Sequence, residues 1–362
     1  MSTFNTFDVL KKLTDANGVS GDEMSAAFVA LELLREYAPE AYIDAHGSVV
    51  GFIGKPEGDD SGKGSLLLDA HIDQVGLIVT YIDEAGFVKA GPCGGIDRRA
   101  LAAQEVTIFT SQSVNTRKKI KGIICTKPPH ATKSDDANKA VKSDEIWIDV
   151  GMDAERAKEA ISPGDSVIVN GELKKMLGST VSGCALDDRA GVCAILYALH
   201  LLKESGGLSD FTNKPYLSVS FSIQEELGHR GAAMTAYSAN PEYALAVDVS
   251  YGLSPGVTDK SGNSIGKLGA GPMIGYAPSL NRSMFEELKR VADDKNISYQ
   301  LEIMSKDTSG TNADQIGIVR GGVKTALVSI PLRYMHTSVE TADLRDIEGA
   351  GKLIAEFVRG MK

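Results

Sequence analysis

Between Gln74 and Gly178 the chain changes texture, and this change restricts its possible folds more than any other feature. Before it, AYIDAHGSVVGFIG (from Ala41) and GSLLLDAHID (from Gly64) read as strands separated by the turn-rich KPEGDDSGKG. After Ser179 strands and helices alternate: an Ala-rich helix after Asp188, the strands YLSVSFSI and YALAVDVS, a helix from about Arg282 to Lys295, the strands YQLEI and KTALVSI, and a last helix from about Leu344 to Met361. Such alternation predicts helices packed on both faces of a mixed sheet. The intervening runs VGLIVTYI, EVTIFT, KIKGIIC, EIWIDVG and DSVIVN are short and β-like, broken by Gly, Pro and Asp. The expected fold class is therefore α/β: an α/β/α sandwich made of residues 1–73 and 178–362, with a small β-barrel-like domain inserted as residues 74–177. Within the insert, Pro128 to Asp144 is polar and aperiodic, and reads as a long loop. Near the amino terminus, Ser20 and Glu23 have capping-box spacing ahead of the stripe Met24, Ala27, Phe28, Leu31 and Leu34.

Charge excludes some partners. A net charge of -10 disfavours nucleic acid and anionic membrane surfaces, both of which require basic surface. The opening MSTFNTFDVLKKLTDANG lacks the apolar core of a signal peptide, and no run approaches the ~18 apolar residues of a membrane span. Cys93, Cys125, Cys184 and Cys193 form no CxxC pair and suit thiols of a reducing compartment. The expected location is the cytoplasm.

Acids and histidines concentrate at the ends of the expected strands, where α/β sheets place their ligands. They are His71 and Asp73, Asp187 and Asp188, Glu225 and Glu226, Asp248, and His336. A carboxylate ending an apolar run such as YALAVDVS is costly to bury alone and calls for a partner or a metal. Imidazole with carboxylate suits zinc, cobalt or manganese, whereas calcium is disfavoured by the histidines. Two divalent ions would be neutralised by Asp187, Asp248, one member of the Glu225–Glu226 pair and a hydroxide. The other glutamate is then free to shuttle a proton. Singly, a His or Asp at such a position is more often structural. It is their conjunction, in order, that carries the reading.

That order resembles metallopeptidase family 42, the glutamyl and tetrahedral aminopeptidases. The family pattern AH-x-D-x-VG is met at Ala70 to Gly76, ALDDR-x-G at Ala185 to Gly191, EE-x-G-x-RGA at Glu225 to Ala232, VD at Val247 and Asp248, and RY-x-H-(S/T)-x-x-E at Arg333 to Glu340. Further likenesses are GGIDRRAL from Gly94, KPPH from Lys127, LGAGPMIG from Leu268 and TSGTNAD from Thr308. The resemblance implies one ion held by His71, Asp187 and Asp248 and a second held by Asp187, Glu226 and His336, with Asp187 shared. It also implies Glu225 as the general base acting on a hydroxide between the two ions, Asp73 as the group that orients His71, and a cis peptide between Asp187 and Asp188. The implied activity is removal of amino-terminal residues from peptides with a free amino terminus, with zinc or cobalt, or else manganese, in a homo-oligomer of tetrahedral dodecamer type built through the inserted domain. The chain departs from the family pattern at Gln74, often Glu there, and at Ile96, usually aromatic. His46, His130, His200 and His229 match no ligand position and read as surface or packing residues. A two-metal deacylase of small N-acyl compounds is the alternative, separable by comparing aminoacyl anilides with N-acetylated amino acids. A glycosidase, with two carboxyls flanking a sugar, fits poorly with carboxylates committed to metals, and a non-catalytic scaffold would be expected to have lost a ligand or Glu225.

Overall fold

The computed structural model describes residues 4–361 except 56–57, 59–60, 62–63, 111–116, 129, 131–138, 207, 209–215, 258–263 and 305–307. Much of the segment read as a loop from Pro128 to Asp144 lies outside the described residues.

The central element is an eight-stranded sheet in the order Tyr42–Ile43, Val49–Ile53, Leu217–Ser222, Leu66–His71, Tyr243–Tyr251, Lys324–Leu332, Met273–Tyr276 and Gln300–Ile303. Four neighbouring strands, Leu217–Ser222, Leu66–His71, Tyr243–Tyr251 and Lys324–Leu332, are mutually parallel, so their carboxyl ends open on one edge. They are buried on both faces, so that even the serines of LSVSFS, which alternate with apolar residues in the sequence, are covered. Alternate residues divide between two cores: Leu66, Leu68 and Ala70 join the helices Leu186–Glu204 and Leu344–Gly360, whereas Leu67 packs with Ala232 and Ala236 of the helix Arg230–Ala239. This is the expected α/β/α layering. The strand Met273–Tyr276 and the helices Arg230–Ala239 and Asn312–Gly317 were not read from the sequence.

All five short β-like runs form strands. With Val88–Cys93 they close a six-stranded barrel in the order Gly76–Ile82, Val88–Cys93, Ile146–Asp149, Lys119–Ile124, Glu105–Phe109 and Ser166–Val169. Along Lys119–Ile124 burial alternates strictly, with Ile120 and Ile124 in the barrel core and Lys119, Lys121 and Ile123 outside. A three-stranded sheet of Lys174–Lys175, Thr180–Gly183 and Glu340–Asp343 follows the barrel and sets Gly183 opposite Glu340. No helix among the described residues is long and apolar enough to cross a membrane.

The capping box does not form. The helix Met24–Leu34 starts at Glu23 without a side-chain cap, Glu23 accepts the Gly21 amide instead, and Ser20 turns away to donate to Asp73 at 2.6 Å. Phe28 of the expected apolar stripe is 48% exposed, because Ala26, Ala30 and Leu33 take part of the buried face.

Arg189 is fully buried and ties the amino-terminal segment to the strand edge. Its guanidinium donates to the carbonyl oxygens of Ile72 at 2.8 Å and Ala16 at 3.1 Å, to that of Leu13, and to Gln74 Oε1 at 3.4 Å. Burial lowers its pKa to about 10. Replacing it by methionine strands several buried acceptors at ~1–3 kcal/mol each. Arg189→Met should therefore lose at least about 3 kcal/mol in urea denaturation; a loss within ~0.5 kcal/mol would show that the anchor is dispensable.

Candidate metal centre

The parallel strand ends and two loops bring every site residue expected from the sequence together. His71 ends the strand Leu66–His71, and Asp248 lies within Tyr243–Tyr251. Glu225 and Glu226 follow Leu217–Ser222 in a tight loop, where Gly231 lets the next helix begin against Ile223: a Cβ there would lie 2.4 Å from the Ile223 carbonyl oxygen. His336 follows Lys324–Leu332 with a left-handed backbone, φ 64°. Asp187 heads the helix Leu186–Glu204, and the Asp187–Asp188 peptide is cis.

Asp187 is the hub. Its Oδ1 lies 3.1 Å from His71 Nε2, and its Oδ2 lies 3.3 Å from His336 Nε2. Asp248 Oδ1 is 3.9 Å from His71 Nε2, and Glu226 Oε1 is 3.5 Å from His336 Nε2. The donor atoms of His71, Asp187 and Asp248 all lie within 4.8 Å of one another, as do those of Asp187, Glu226 and His336. Ligands ~2 Å from a tetrahedral ion stand ~3.3 Å apart, and the contacts between imidazole and carboxylate bracket that spacing.

The orienting groups are equally specific. His71 Nδ1 is 3.1 Å from the Asp73 carbonyl oxygen and 3.4 Å from Asp73 Oδ1, while His336 Nδ1 is 2.9 Å from the Gly95 carbonyl oxygen. Each ring therefore presents Nε2 to the cluster, the arrangement in which a histidine binds a divalent ion. The Asp73 carboxylate also accepts the amides of Glu225 at 2.9 Å and Glu226 at 3.2 Å, so it sets the glutamate pair as well as His71. Glu340 accepts the amides of Asp187 and His336 at 3.2 and 2.8 Å. Asp188 accepts those of His71 and Gly191 at 3.3 and 3.0 Å, and a Cβ on Gly191 would lie 2.4 Å from Asp188 Oδ1.

Electrostatics follow from burial. Burial, with Asp187 adding to it, raises Glu226 to about 8; burial, with Asp188 adding, raises Asp248 well above the carboxylate range. Burial would also raise Asp187, but His336 and His71 hold it well below the ordinary value. Burial opposes the charge on His336, yet Asp187 and Glu226 carry it to about 10, and Asp187 and Asp73 likewise raise His71. Without a cation the cluster retains protons.

Three contributors were missed in the sequence. Gly95 lies between the barrel strands Val88–Cys93 and Glu105–Phe109, away from the strand ends where site residues were expected; the GGID run is the signal, since a Cβ at Gly95 would lie 3.0 Å from His336 Nδ1. His229, read as a surface or packing residue, has Nδ1 2.6 Å from Glu225 Oε1, and that carboxylate raises its pKa. Ser20 was read as a cap. Among the other histidines, His200 packs against Phe4 and Tyr197, and His46 and His130 are exposed. Gln74, where a glutamate is common, faces Arg189 and lines a narrow cleft beside Asp187, Glu226 and His336 together with Ile96.

Residues 50–353 match the family model described as M42 glutamyl aminopeptidase. The chain is 31% identical to a lysyl aminopeptidase of Pyrococcus furiosus, covering 98% of this chain and 97% of that protein. It superposes on the aminopeptidase APDkam598 of the archaeon Desulfurococcus kamchatkensis with a TM-score of 0.86 at 31% identity, over 98% and 94% of the two chains. It superposes on the TET1 peptidase of Pyrococcus horikoshii, which can assemble into a tetrahedron or a large octahedral shell, with a TM-score of 0.81 at 28% identity, over 97% and 98%. With its strand-edge cluster intact and its likeness running from end to end, the chain belongs to the M42 glutamyl aminopeptidase family and is an aminopeptidase, a hydrolase of peptide bonds.

Proposed function

We propose that this aminopeptidase removes amino-terminal residues with two divalent ions, zinc or cobalt, one held by His71, Asp187 and Asp248 and the other by Asp187, Glu226 and His336. The observation that carries the reading is the two-sided contact of Asp187, one carboxylate oxygen toward each histidine. Ions bound there would polarise the scissile carbonyl and lower the pKa of a water. The remaining chemistry belongs to the chain. Glu225 stands outside both triads, with Oε2 4.0 Å from His71 Nε2, and is the carboxylate left to take a proton from the attacking water and pass it to the leaving amine. His229 at Oε1 and Asp73 on the backbone amide fix its position. With the ions bound, Glu225 would be the carboxylate left un-neutralised in the cavity, and its charge favours a free α-ammonium, hence an exopeptidase over a deacylase of N-acyl compounds.

We further assign assembly to residues 74–177 as an inserted domain. Tyr81, Phe87, Ile123 and Met176 are exposed there and Leu177 is 96% exposed, apolar surface that suits contact with a second copy. The TET1 relative supports a closed homo-oligomer, and a tetrahedral dodecamer is the form proposed. Light scattering should give a mass many times 38.4 kDa; a strict monomer with full activity would contradict this.

Metal titration tests the centre. Because His336 sits near 10 and Glu226 near 8 in the metal-free protein, both carry protons at pH 7 that a metal must displace. Calorimetry in buffers of different ionisation enthalpy should give a stoichiometry near two ions per chain with net proton release. Affinity should weaken steadily as pH falls through these values. One ion per chain, or binding without proton release, would sink the arrangement.

Glu225→Gln keeps the size of the side chain and removes the base. Metal content and assembly should survive while kcat falls ~100- to 10,000-fold. Glu226→Gln should instead lower occupancy of one site, with activity partly recovered in excess metal. Near-full turnover in Glu225→Gln would reverse the roles given to the pair.

A further inference from the structure

The cavity that opens on the cluster, about 1000 Å³, is lined not only by Asp187, Glu225, Asp248 and His336 but also by a carboxylate that catalysis leaves unused, Glu302. Glu302 sits on the sheet's outermost strand, Gln300–Ile303, and is only 6% exposed. Ser329 Oγ donates to its Oε2 at 2.6 Å, and Ser250 Oγ donates to its Oε1. Among the described residues no Lys, Arg or His pairs with it. Burial raises its pKa and the two hydroxyls oppose that rise.

Its distance from the centre is set by the strands. Ser250 lies two residues beyond Asp248 on the same strand, hence on the same face and about 7 Å along it at ~3.3 Å per residue. Ser329 is in register with Asp248 on the neighbouring strand. The carboxylate that both serines hold therefore stands roughly one long side chain from the ligands. Ile265, Ile303, Met304 and Met335 line the same cavity and supply apolar wall.

We propose that Glu302 selects the amino-terminal side chain, and that the enzyme prefers peptides beginning with lysine or arginine, whose charged head pairs with Glu302 while the stem lies along the methionines. The proposal rests on the aminopeptidase reading of the cluster. A buried carboxylate with only neutral donors is short of positive charge, and a basic side chain supplies it where leucine would strand the carboxylate and glutamate would be repelled. Lysine and arginine also bring flexible apolar stems that can cover the aliphatic wall.

Using the metal-loaded enzyme, kcat/KM is measured on lysyl, arginyl, norleucyl, leucyl and glutamyl anilides. Norleucine matches the lysine stem without its charge. Lysyl should exceed norleucyl by about 30-fold or more, the factor expected when one member of a buried charge pair is missing. Glu302→Gln should collapse that ratio by a similar factor. Equal kcat/KM for lysyl and norleucyl substrates in the unmodified enzyme overturns the proposal even if the variant fails to fold, as does an unchanged ratio in a folded variant. Absence of hydrolysis on every anilide would instead overturn the aminopeptidase reading itself.

Discussion

One carboxylate between two imidazoles organises this molecule. Asp187 is buried where a charge is costly, and its contacts with His71 and His336 hold it ionised. Those histidines come from strand ends separated by more than 260 residues of chain, so the pairing fixes the relative positions of two parallel strands and of the helix that Asp187 heads. The surrounding fold serves this arrangement. Arg189, two residues on, anchors the helix start to Ile72 beside His71, while Glu340 grips the amides of both Asp187 and His336.

The barrel segment contributes to the same geometry. His336 stands in a left-handed conformation, and its ring is set by the carbonyl oxygen of Gly95 from the GGID run. The Asp97 amide in turn donates to the His336 carbonyl oxygen at 3.0 Å. These two hydrogen bonds make the second triad sensitive to how the insert is seated.

The layered fold was legible because its signals are local. Parallel strands buried on both faces read as LLLDAH and YALAVDVS, and barrel strands read as short β-like runs broken by Gly, Pro and Asp. The clustering of these acids and histidines was legible because strand ends confine them to one edge, whereas the roles of Glu225 and Glu226 rest on the family pattern. Long-range partners were not legible. Ser20 has cap spacing to Glu23, yet a buried Asp73, fifty-three positions on, claims its hydroxyl. His229 looked free because nothing in a sequence states that a loop with left-handed Gln224 and His229 folds the ring back onto Glu225. The strand Met273–Tyr276 was missed because Gly275 and the preceding AGP turn mask a run of four residues.

The environment of each buried acid separates the roles that composition alone leaves mixed. Asp73, Asp188 and Glu340 accept backbone amides with both carboxylate oxygens, which commits each oxygen to holding the scaffold. Asp187 and Glu226 face imidazoles instead, and among the described residues Asp248 holds only the amide of Val249 besides its approach to His71, so lone pairs remain for a cation. Glu225 belongs to neither group: it is tethered to His229 at one oxygen and open toward His71 at the other. Glu302 forms a further class, held by hydroxyls that can rotate rather than by fixed amides, which leaves it able to accept a charged group from a substrate without disturbing the backbone. On the roles proposed here, carboxylates serve as scaffold, metal ligand, proton shuttle and recognition group, and the distinction lies in what donates to each oxygen.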